Sequence, residues 1–411
     1  MLQSYLQQLP ATAGWGLYIH VPFCARKCPY CDFTVVVLKD RPERAYIDAL
    51  FQELDARRSQ MQGPLRTIYI GGGTPGLLLP ENVAYLGEGL RTRSMLSALE
   101  EFTVEVNPEH ADAARLDAWK QAGATRISMG AQALHTEALQ ILGRAHTPDQ
   151  VIAAVEQAHR SGFEHISIDF IFAVPGVERA QTLRDMEHAV RLAHIDHVSL
   201  YELTVEPRTV FGVRRNAGEL PPWPDDDVLE HWHALVAILE GGGFTRYEVS
   251  NFAKDGGKAR HNASYWVGRP YLGIGVSAAS LLWTATDALV RPENIRRRTN
   301  RAQLKGYLQD PLAHALEEEL SWEDHLGELL SLVLRTTQPF DLSAFEARFG
   351  VALPKVHRRL LHWAQMGRLK RVGQAEEKIF ESTHAGMEIA DTIGVDLLYA
   401  LDEDLLSGAG K

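Results

Sequence analysis

The feature that most constrains the fold is a repeated pattern of short apolar runs, each followed by a segment with helical periodicity. The helical segments include residues 44–58 and 147–161, whose apolar residues recur at helical spacing. Such an alternation predicts a parallel α/β sheet, either open or curled into a barrel. The predicted strands are Leu17–Val21, Thr67–Ile70, Phe102–Val106, Arg126–Met129, Ile166–Phe170 and Val198–Leu203.

Chemically distinctive residues stand where these predicted strands end. A cysteine loop follows the first strand and a glycine-rich turn follows the second. Because the carboxyl ends of parallel strands meet at one edge of a sheet, we expect all of these groups to share one site. The remaining strand ends carry Glu105 and Asn107, then Gln132, then Asp169, then Tyr201 and Glu202.

All three cysteines of the chain lie in the segment YIHVPFCARKCPYCDF, as Cys24, Cys28 and Cys31. Three thiolates can hold three irons of a four-iron cluster and leave the fourth iron open for reaction. The alternative is structural zinc with His20 as a fourth ligand, but such sites usually use two separated ligand pairs. The spacing therefore favours an iron–sulfur cluster.

The glycine-rich segment is GGGTPG, residues 71–76. It lacks the lysine of a phosphate-binding loop and the spacing of a dinucleotide fingerprint. Glycines could here form a tight turn out of a strand, or they could let the backbone approach a polar ligand closely. The residues alone leave both readings open.

Four polar residues further along form a chemically coherent set: Glu105, Gln132, Arg144 and Asp169. Singly, each could be an ordinary helix cap. Together they offer acceptors for hydroxyls and an amine, and one guanidinium for a carboxylate. This set would suit a ligand with a ribose and an amino-acid part.

Composition and charge exclude several classes of protein. The formal net charge of −11 over 411 residues argues against a generic nucleic-acid binder. The N-terminus lacks a signal peptide pattern, and no apolar run reaches the length of a membrane span. Clustered cysteines in an odd number fit a reducing compartment. We therefore expect a soluble cytoplasmic protein.

The last hundred residues have a different pattern, with three predicted helices, two short strands and a final helix from about residue 384. This order is typical of a winged-helix domain, and its third helix carries Lys355, Arg358 and Arg359. A metal-stabilised protein that binds DNA through this tail is therefore one hypothesis. A solvated face on an accessory domain fits the acidic chain better.

The cysteine segment resembles the cluster motif of the radical S-adenosylmethionine (SAM) superfamily. The later segments YIGGGTP, VEVNP, RISMGAQ, LGRAH and DFIFAVPG resemble, in order, its oxygen-independent coproporphyrinogen dehydrogenase group. The resemblance implies a partial (β/α)6 barrel over residues 10–245 and an extension and linker over 246–310. A mostly helical, winged-helix-like accessory domain would follow at 311–411.

The resemblance also implies roles for individual residues. Cys24, Cys28 and Cys31 would hold a [4Fe-4S] cluster whose open iron is chelated by SAM, and the protein would position this cofactor. The residues expected to contact SAM are Tyr18, Tyr30, Gly72, Gly73, Thr74, Glu105, Gln132, Arg144 and Asp169.

Two branches of this group differ next to the cysteines. The dehydrogenases resemble this chain but carry a fourth cysteine two residues after the third, where this chain has Phe33. They also have a longer N-terminal extension. Both differences favour the other branch, the haem chaperones, which bind haem and are thought to deliver it to respiratory haem proteins. The alternative is oxidation of coproporphyrinogen III or of a related tetrapyrrole.

The haem chaperone branch also has an H-N-x-x-Y-W signature, present here at residues 261–266. Imidazole is a common axial ligand of haem iron, so His261 is a candidate haem ligand. The motif could equally be a packing motif. The expected partners are haem, haem-accepting respiratory proteins and an electron donor, with no nucleic acid and with peripheral membrane association only through such partners.

Overall fold

The computed structural model describes residues 14–285, 291–374 and 377–408. Its main body is a mixed sheet whose six central strands run parallel, from β1 to β6, in chain order. Each predicted strand is present, and most extend by one to three residues beyond the predicted bounds. The strands are β1 (Trp15–Val21), β2 (Leu65–Gly72), β3 (Glu101–Val106), β4 (Arg126–Gln132), β5 (His165–Phe172) and β6 (His197–Glu202).

Helices connect these strands and cover the outside of the sheet, as in a partial (β/α)6 barrel. The predicted helix at 147–161 is present and begins with a capping box, in which Thr147 and Gln150 satisfy each other's backbone N–H groups. The helices are α1 (Glu43–Arg57), α2 (Pro80–Thr92), α3 (Ala113–Ala122), α4 (Thr136–Ile141), α5 (Pro148–Arg160), α6 (Arg179–Ala189), α7 (Val210–Asn216) and α8 (Asp225–Gly241), with short 3₁₀ turns at Arg58–Gln60, Pro75–Leu77 and Pro108–His110.

The segment predicted as an extension and linker adds strands to both edges of this sheet. One pair follows β6, and a second group continues from β1, so the strand order is β12-β11-β10-β9-β1-β2-β3-β4-β5-β6-β8-β7. The sheet thus runs past the predicted boundary at residue 310. The elements are β7 (Thr245–Arg246), β8 (Asn251–Ala253), α9 (Arg260–Trp266), β9 (Tyr271–Ile274), β10 (Ala279–Thr284), β11 (Glu293–Asn300), α10 (Leu304–Gln309) and β12 (His314–Glu319).

The remaining residues form a separate, mostly helical core with a small sheet of order β13-β15-β14. This arrangement confirms the predicted winged-helix-like pattern and the predicted fold class. The elements are α11 (Trp322–Val333), β13 (Phe340–Asp341), α12 (Leu342–Phe349), α13 (Pro354–Gln365), β14 (Leu369–Arg371), β15 (Ile379–Ser382), α14 (His384–Met387) and α15 (Ala390–Gly408).

Two of the three basic residues of α13, Lys355 and Arg359, are paired with the last helix, which argues against the DNA hypothesis. Lys355 pairs with Glu403 at 3.3 Å, and Arg359 pairs with Asp396 at 3.5 Å. Asp404 accepts the backbone N–H of Lys355 at the start of α13. In a DNA-binding winged helix these side chains would instead contact phosphates or bases.

Within the described residues, every helix is too short or too polar to span a lipid bilayer.

A buried ion pair within α1 is hydrogen-bonded to the segment that follows β9. Glu53 and Arg57 lie one helical turn apart, with 2.7 Å between Oε1 and Nη1, and both are buried. The Glu53 carboxylate also accepts hydrogen bonds from Tyr307, Asn300 and the backbone N–H of Gly275. Burial raises the pKa of Glu53 and so disfavours its ionised form. The hydrogen-bond donors and Arg57 offset this cost and stabilise the carboxylate.

We predict that Glu53→Ala lowers the free energy of unfolding by about 3–5 kcal/mol, because it leaves Arg57 buried without its carboxylate. Chemical denaturation followed by circular dichroism measures this. The control is Glu88→Ala, which removes an exposed ion pair to Arg91 and should cost less than about 1 kcal/mol. Equal losses in the two variants would contradict the assignment.

Candidate functional site

A cavity of about 520 Å³ opens at the carboxyl ends of the parallel strands. Its walls come from the cysteine loop, the glycine-rich turn and the ends of β3 to β6. The sequence-based prediction that these groups share one site is consistent with this geometry. All the predicted site residues line the cavity except Tyr18 and His261.

The three cysteines lie on the loop after β1 and line the cavity together. The loop is held at its base, where the Cys24 N–H donates to the Val36 carbonyl at 3.0 Å. The Cys24 thiol lies 3.5 Å from the Thr74 hydroxyl, and an Arg144 Nη atom lies 3.9 Å from the Cys28 sulfur. Burial raises the pKa of the Cys24 and Cys31 thiols. A hydroxyl and a guanidinium are therefore positioned to stabilise the thiolates that metal binding requires.

His20 is not presented to the thiols as a fourth zinc ligand would be. Its Nδ1 lies 3.1 Å from the Tyr18 hydroxyl, and its Nε2 lies 2.9 Å from the Thr34 carbonyl oxygen. In the described ranges, no group of three or more His, Cys, Asp or Glu side chains converges on a position for a single ion. The contacts of both His20 ring nitrogens disfavour His20 as the fourth ligand of a closed tetrahedral zinc site.

The glycine-rich turn forms a wall of exposed backbone. Gly72 has φ of +109°, and a Cβ atom there would lie 2.5 Å from the His20 ring. A Cβ on Gly71 would lie 2.7 Å from Glu105, and one on Gly73 would lie 2.8 Å from backbone atoms. The Gly73 N–H donates to the Val21 carbonyl at 2.8 Å. The glycines thus make both the tight turn and the close approach of backbone to the cavity.

Glu105 connects this turn to the neighbouring strands. Its carboxylate accepts a hydrogen bond from the Tyr69 hydroxyl at 2.7 Å and one from the Gly72 N–H at 3.1 Å. Burial raises the pKa of Glu105 to about 7. This carboxyl group therefore changes charge near neutral pH and can attract a cationic amine when it is ionised.

Asp169 provides a second carboxylate on the cavity floor. The Ser128 hydroxyl lies 3.4 Å from both of its oxygens. Burial raises the pKa of Asp169 to about 6, while hydrogen bonds from Ser199 and Ser128 oppose this. Paired carboxylate oxygens of this kind are suitable acceptors for the two hydroxyls of a ribose.

Arg144 is fixed by the strand ends. It donates to the Asn107 side chain at 2.7 Å and to the Gly130 carbonyl at 2.9 Å. Its buried Nε has no hydrogen-bond partner among the residues that the structure describes. Gln132 follows at the kinked end of β4, with φ of +65° and a shift of register. Both side chains line the cavity, and the kink at Gln132 ends the regular pairing of β4 there.

The two predicted tyrosines lie differently. Tyr30 lines the cavity and packs against Phe211, with 6.5 Å between ring centroids. Tyr18 lies beneath the floor, stacked on Tyr69 at 6.1 Å. Only Tyr30 can contact a ligand in the cavity directly, whereas Tyr18 supports the Tyr69 ring.

His261 is enclosed within the protein rather than presented to the cavity. It is 1% exposed, with Nδ1 2.9 Å from the Thr67 hydroxyl and Nε2 2.8 Å from the Tyr265 hydroxyl. Burial lowers its pKa to about 3. Glu101 accepts the His261 N–H and so holds the start of α9. In this conformation neither ring nitrogen is available to haem iron, so the geometry agrees with the packing reading of the motif.

Several cavity residues were not in the predicted set. Tyr69, Ser128 and Ser199 lie on alternate positions of their strands, facing inward. The signal was a polar residue at every second position of otherwise apolar runs, which predicts a polar inner face. Asn262, within the H-N-x-x-Y-W signature, also lines the cavity.

The residues that line the cavity fit the cluster and the SAM that the resemblance implies. Three thiols on one loop, with a hydroxyl and a guanidinium beside them, suit a cluster with one open iron. Glycine backbone, two carboxylates and a guanidinium that line the cavity suit a ligand with amino-acid and ribose parts. The fit rests on the chemistry of the donors and acceptors that line the cavity.

Comparison with protein-family models gives two matches. Residues 18–189 match the radical SAM superfamily, which covers the cysteine loop and most of the parallel strands. Residues 320–387 match the HemN C-terminal domain, which begins directly after β12.

The chain is also similar to curated haem chaperones. It is 34% identical over 341 residues to the haem chaperone HemW of Bacillus subtilis, covering 82% of this chain and 87% of that protein. It is 39% identical over 269 residues to HemW of Escherichia coli, covering 64% and 69%. The solved structure of coproporphyrinogen III oxidase (HemN) from Escherichia coli has the same fold, with a TM-score of 0.75 at 22% identity, covering 96% of this chain and 93% of that one.

We predict that Gly72→Ala lowers the free energy of unfolding by at least about 1–2 kcal/mol, because it forces a side chain into a left-handed conformation against His20. Thermal unfolding of the apoprotein tests this, and a parallel iron assay after reconstitution should show reduced incorporation. Gly306→Ala is the control, since a Cβ there meets nothing within 4 Å and should be neutral or stabilising. Wild-type stability and iron content in Gly72→Ala would contradict the prediction.

Proposed function

The chain belongs to the HemW family of radical SAM proteins, and from this we propose that it is a haem chaperone that uses a [4Fe-4S] cluster and SAM. The observation that carries the proposal is similarity to a named haem chaperone over 82% of the chain. In this proposal the protein binds haem and transfers it to respiratory haem proteins, with an electron donor that reduces the cluster.

The cavity residues supply the binding positions for both cofactors. A reduced [4Fe-4S] cluster would supply one-electron chemistry at the SAM sulfonium. In our assignment the thiols of Cys24, Cys28 and Cys31 hold the cluster, and the backbone of Gly72, Gly73 and Thr74 receives the methionine end of SAM. The remaining polar contacts are assigned to Glu105, Gln132, Arg144 and Asp169. Tyr30 would pack on the cofactor, and Tyr18 would support the cavity floor from below by stacking on Tyr69.

The protein's own contribution is orientation and charge. The Arg144 guanidinium lines the cavity and is held by Asn107, so its positive charge can meet a carboxylate from a fixed position. Glu105 is held by Tyr69 and Gly72, so it can meet an ammonium group without reorganising. Arg144 would thus recognise the carboxylate of the SAM amino-acid group, and Glu105 would recognise its amino end.

The competing function is oxidation of coproporphyrinogen III or of a related tetrapyrrole. The shared fold with coproporphyrinogen III oxidase is the observation in its favour. Against it stands Phe33, at the position where the dehydrogenases resembled by this chain have a further cysteine. A benzyl side chain cannot bind iron, so the two functions differ in the chemistry next to the cluster.

We predict that SAM affinity rises with pH, by up to about tenfold between pH 6 and pH 8. The pKa of Glu105 is about 7, so its carboxylate is mostly neutral at pH 6 and attracts the SAM ammonium only as it ionises. Equilibrium binding of SAM to anaerobically reconstituted protein measures this. Glu105→Gln should bind more weakly and lose most of the pH dependence, and an unchanged pH profile in that variant would refute the role.

Haem titration followed by absorbance tests the function itself. We expect saturable haem binding by the reconstituted protein and no release of carbon dioxide from coproporphyrinogen III under reducing conditions with SAM. Absence of haem binding would remove the chaperone proposal, and stoichiometric decarboxylation would establish the competing enzyme activity in its place.

A further inference from the structure

We propose that haem binds at the mouth of the cavity, on the outer face of the cysteine loop, and not through His261. This inference rests on the proposed function, because it names the place where the haem of that function is held. The residues that carry it are Phe33, which would lie against the porphyrin face, and Arg26 and Lys27, which would meet the propionates.

The loop carries an exposed apolar surface directly beside the cavity. Phe33 is 63% exposed although it also lines the cavity, and Val37 and Leu38 are exposed a few residues further on. Exposed apolar side chains that cluster beside a concave site usually mark a surface that binds something. A phenyl ring is also the side chain that stacks well on a flat aromatic macrocycle.

A second apolar edge lies against the same loop. The exposed side chains of Val210 and Val213 belong to α7. This helix is fastened to the loop, because the Phe211 N–H donates to the Pro29 carbonyl at 3.0 Å. We call Phe33, Val37, Leu38, Val210 and Val213 the mouth patch. Both of its edges are thus attached to the loop that carries the thiols.

Charge distinguishes haem from a purely apolar occupant. Arg26 and Lys27 are exposed and line the cavity, and in the described parts of the chain neither pairs with a carboxylate. Two free cations beside an apolar patch are unusual in a chain of net charge −11. Haem has this same combination, an apolar macrocycle with two carboxylates on one edge, so the surface and the ligand are complementary.

The interior of the cavity is unsuitable for haem. Its floor carries the carboxyl groups of Glu105 and Asp169, which would repel propionates and pair poorly with an apolar ring. No histidine lines the cavity among the residues that the structure describes. His261 is buried with both ring nitrogens occupied. Glu109 and Glu202 also line the cavity, and their charge would favour the apolar edge of haem over the propionate edge.

The test is a haem titration of anaerobically reconstituted, SAM-saturated protein. Phe33→Ser should weaken haem binding about tenfold, since it removes one aromatic contact of ordinary size. Arg26→Glu/Lys27→Glu should weaken it by a similar factor, and this loss should shrink at high salt. Phe33→Tyr should restore wild-type affinity, and His261→Gln should keep the wild-type spectrum of bound haem.

Matched controls separate a local effect from a general one. Tyr399 on α15 is an aromatic residue with 67% exposure, so Tyr399→Ser removes a comparable exposed ring elsewhere. Arg160→Glu/Arg191→Glu reverses two exposed charges that precede β5 and β6, at the opposite end of the strands from the loop. Both controls should bind haem as the wild type does. Iron content and SAM binding are measured in every variant, so that loss of haem with the cluster intact identifies the mouth.

The outcomes separate the two proposals. If the wild-type protein does not bind haem, the proposed function fails. If it binds haem and the Phe33 and Arg26/Lys27 variants bind equally well, the mouth site alone is refuted. Loss of the bound-haem spectrum in His261→Gln, with unchanged thermal stability, would return the ligand role to His261. Weakening by Tyr399→Ser as large as that by Phe33→Ser would also overturn the site, because haem would then bind apolar surface nonspecifically.

Discussion

The arrangement of the site depends on one carboxylate, Glu105. It accepts hydrogen bonds from the Tyr69 hydroxyl on β2 and from the Gly72 N–H at the end of that strand. A Cβ on Gly71 would strike it, so the glycine-rich turn and the carboxylate require each other. The same turn continues to Thr74, whose hydroxyl lies 3.5 Å from the Cys24 sulfur. A polar group at the end of β3 is thereby linked, through the turn after β2, to the loop after β1.

Much of this site could be predicted from the sequence, because parallel strands bring their carboxyl ends to one edge. The predicted group that lines the cavity runs from the cysteines to Asp169. The inward-facing Tyr69, Ser128 and Ser199 were missed because their strands were treated as uniformly apolar, although a polar side chain stood at every second position. Ala173, in the segment FIFAVPG, has φ of +56°, a left-handed conformation that glycine adopts more readily than alanine.

Long-range packing could not be predicted in the same way. The role of His261 depends on Thr67 and Tyr265, which surround its ring only in the folded chain. The paired state of Lys355 and Arg359 likewise depends on acidic residues of α15 that lie some 40 residues further along. No local sequence pattern predicted that β9 to β12 would continue the sheet beyond β1. A sequence motif identifies residues of the right chemical type. Whether such a residue can reach a ligand depends on partners that are distant in the sequence.

We propose, above all, that the cavity holds a [4Fe-4S] cluster and SAM in direct contact. Electron paramagnetic resonance of the anaerobically reconstituted and reduced protein, recorded with and without SAM, tests it most directly. We predict a signal of a reduced four-iron cluster that changes in shape and g values when SAM is added, and that is lost in Cys28→Ala. A colourless protein that contains zinc, or a cluster signal identical with and without SAM, would contradict the claim.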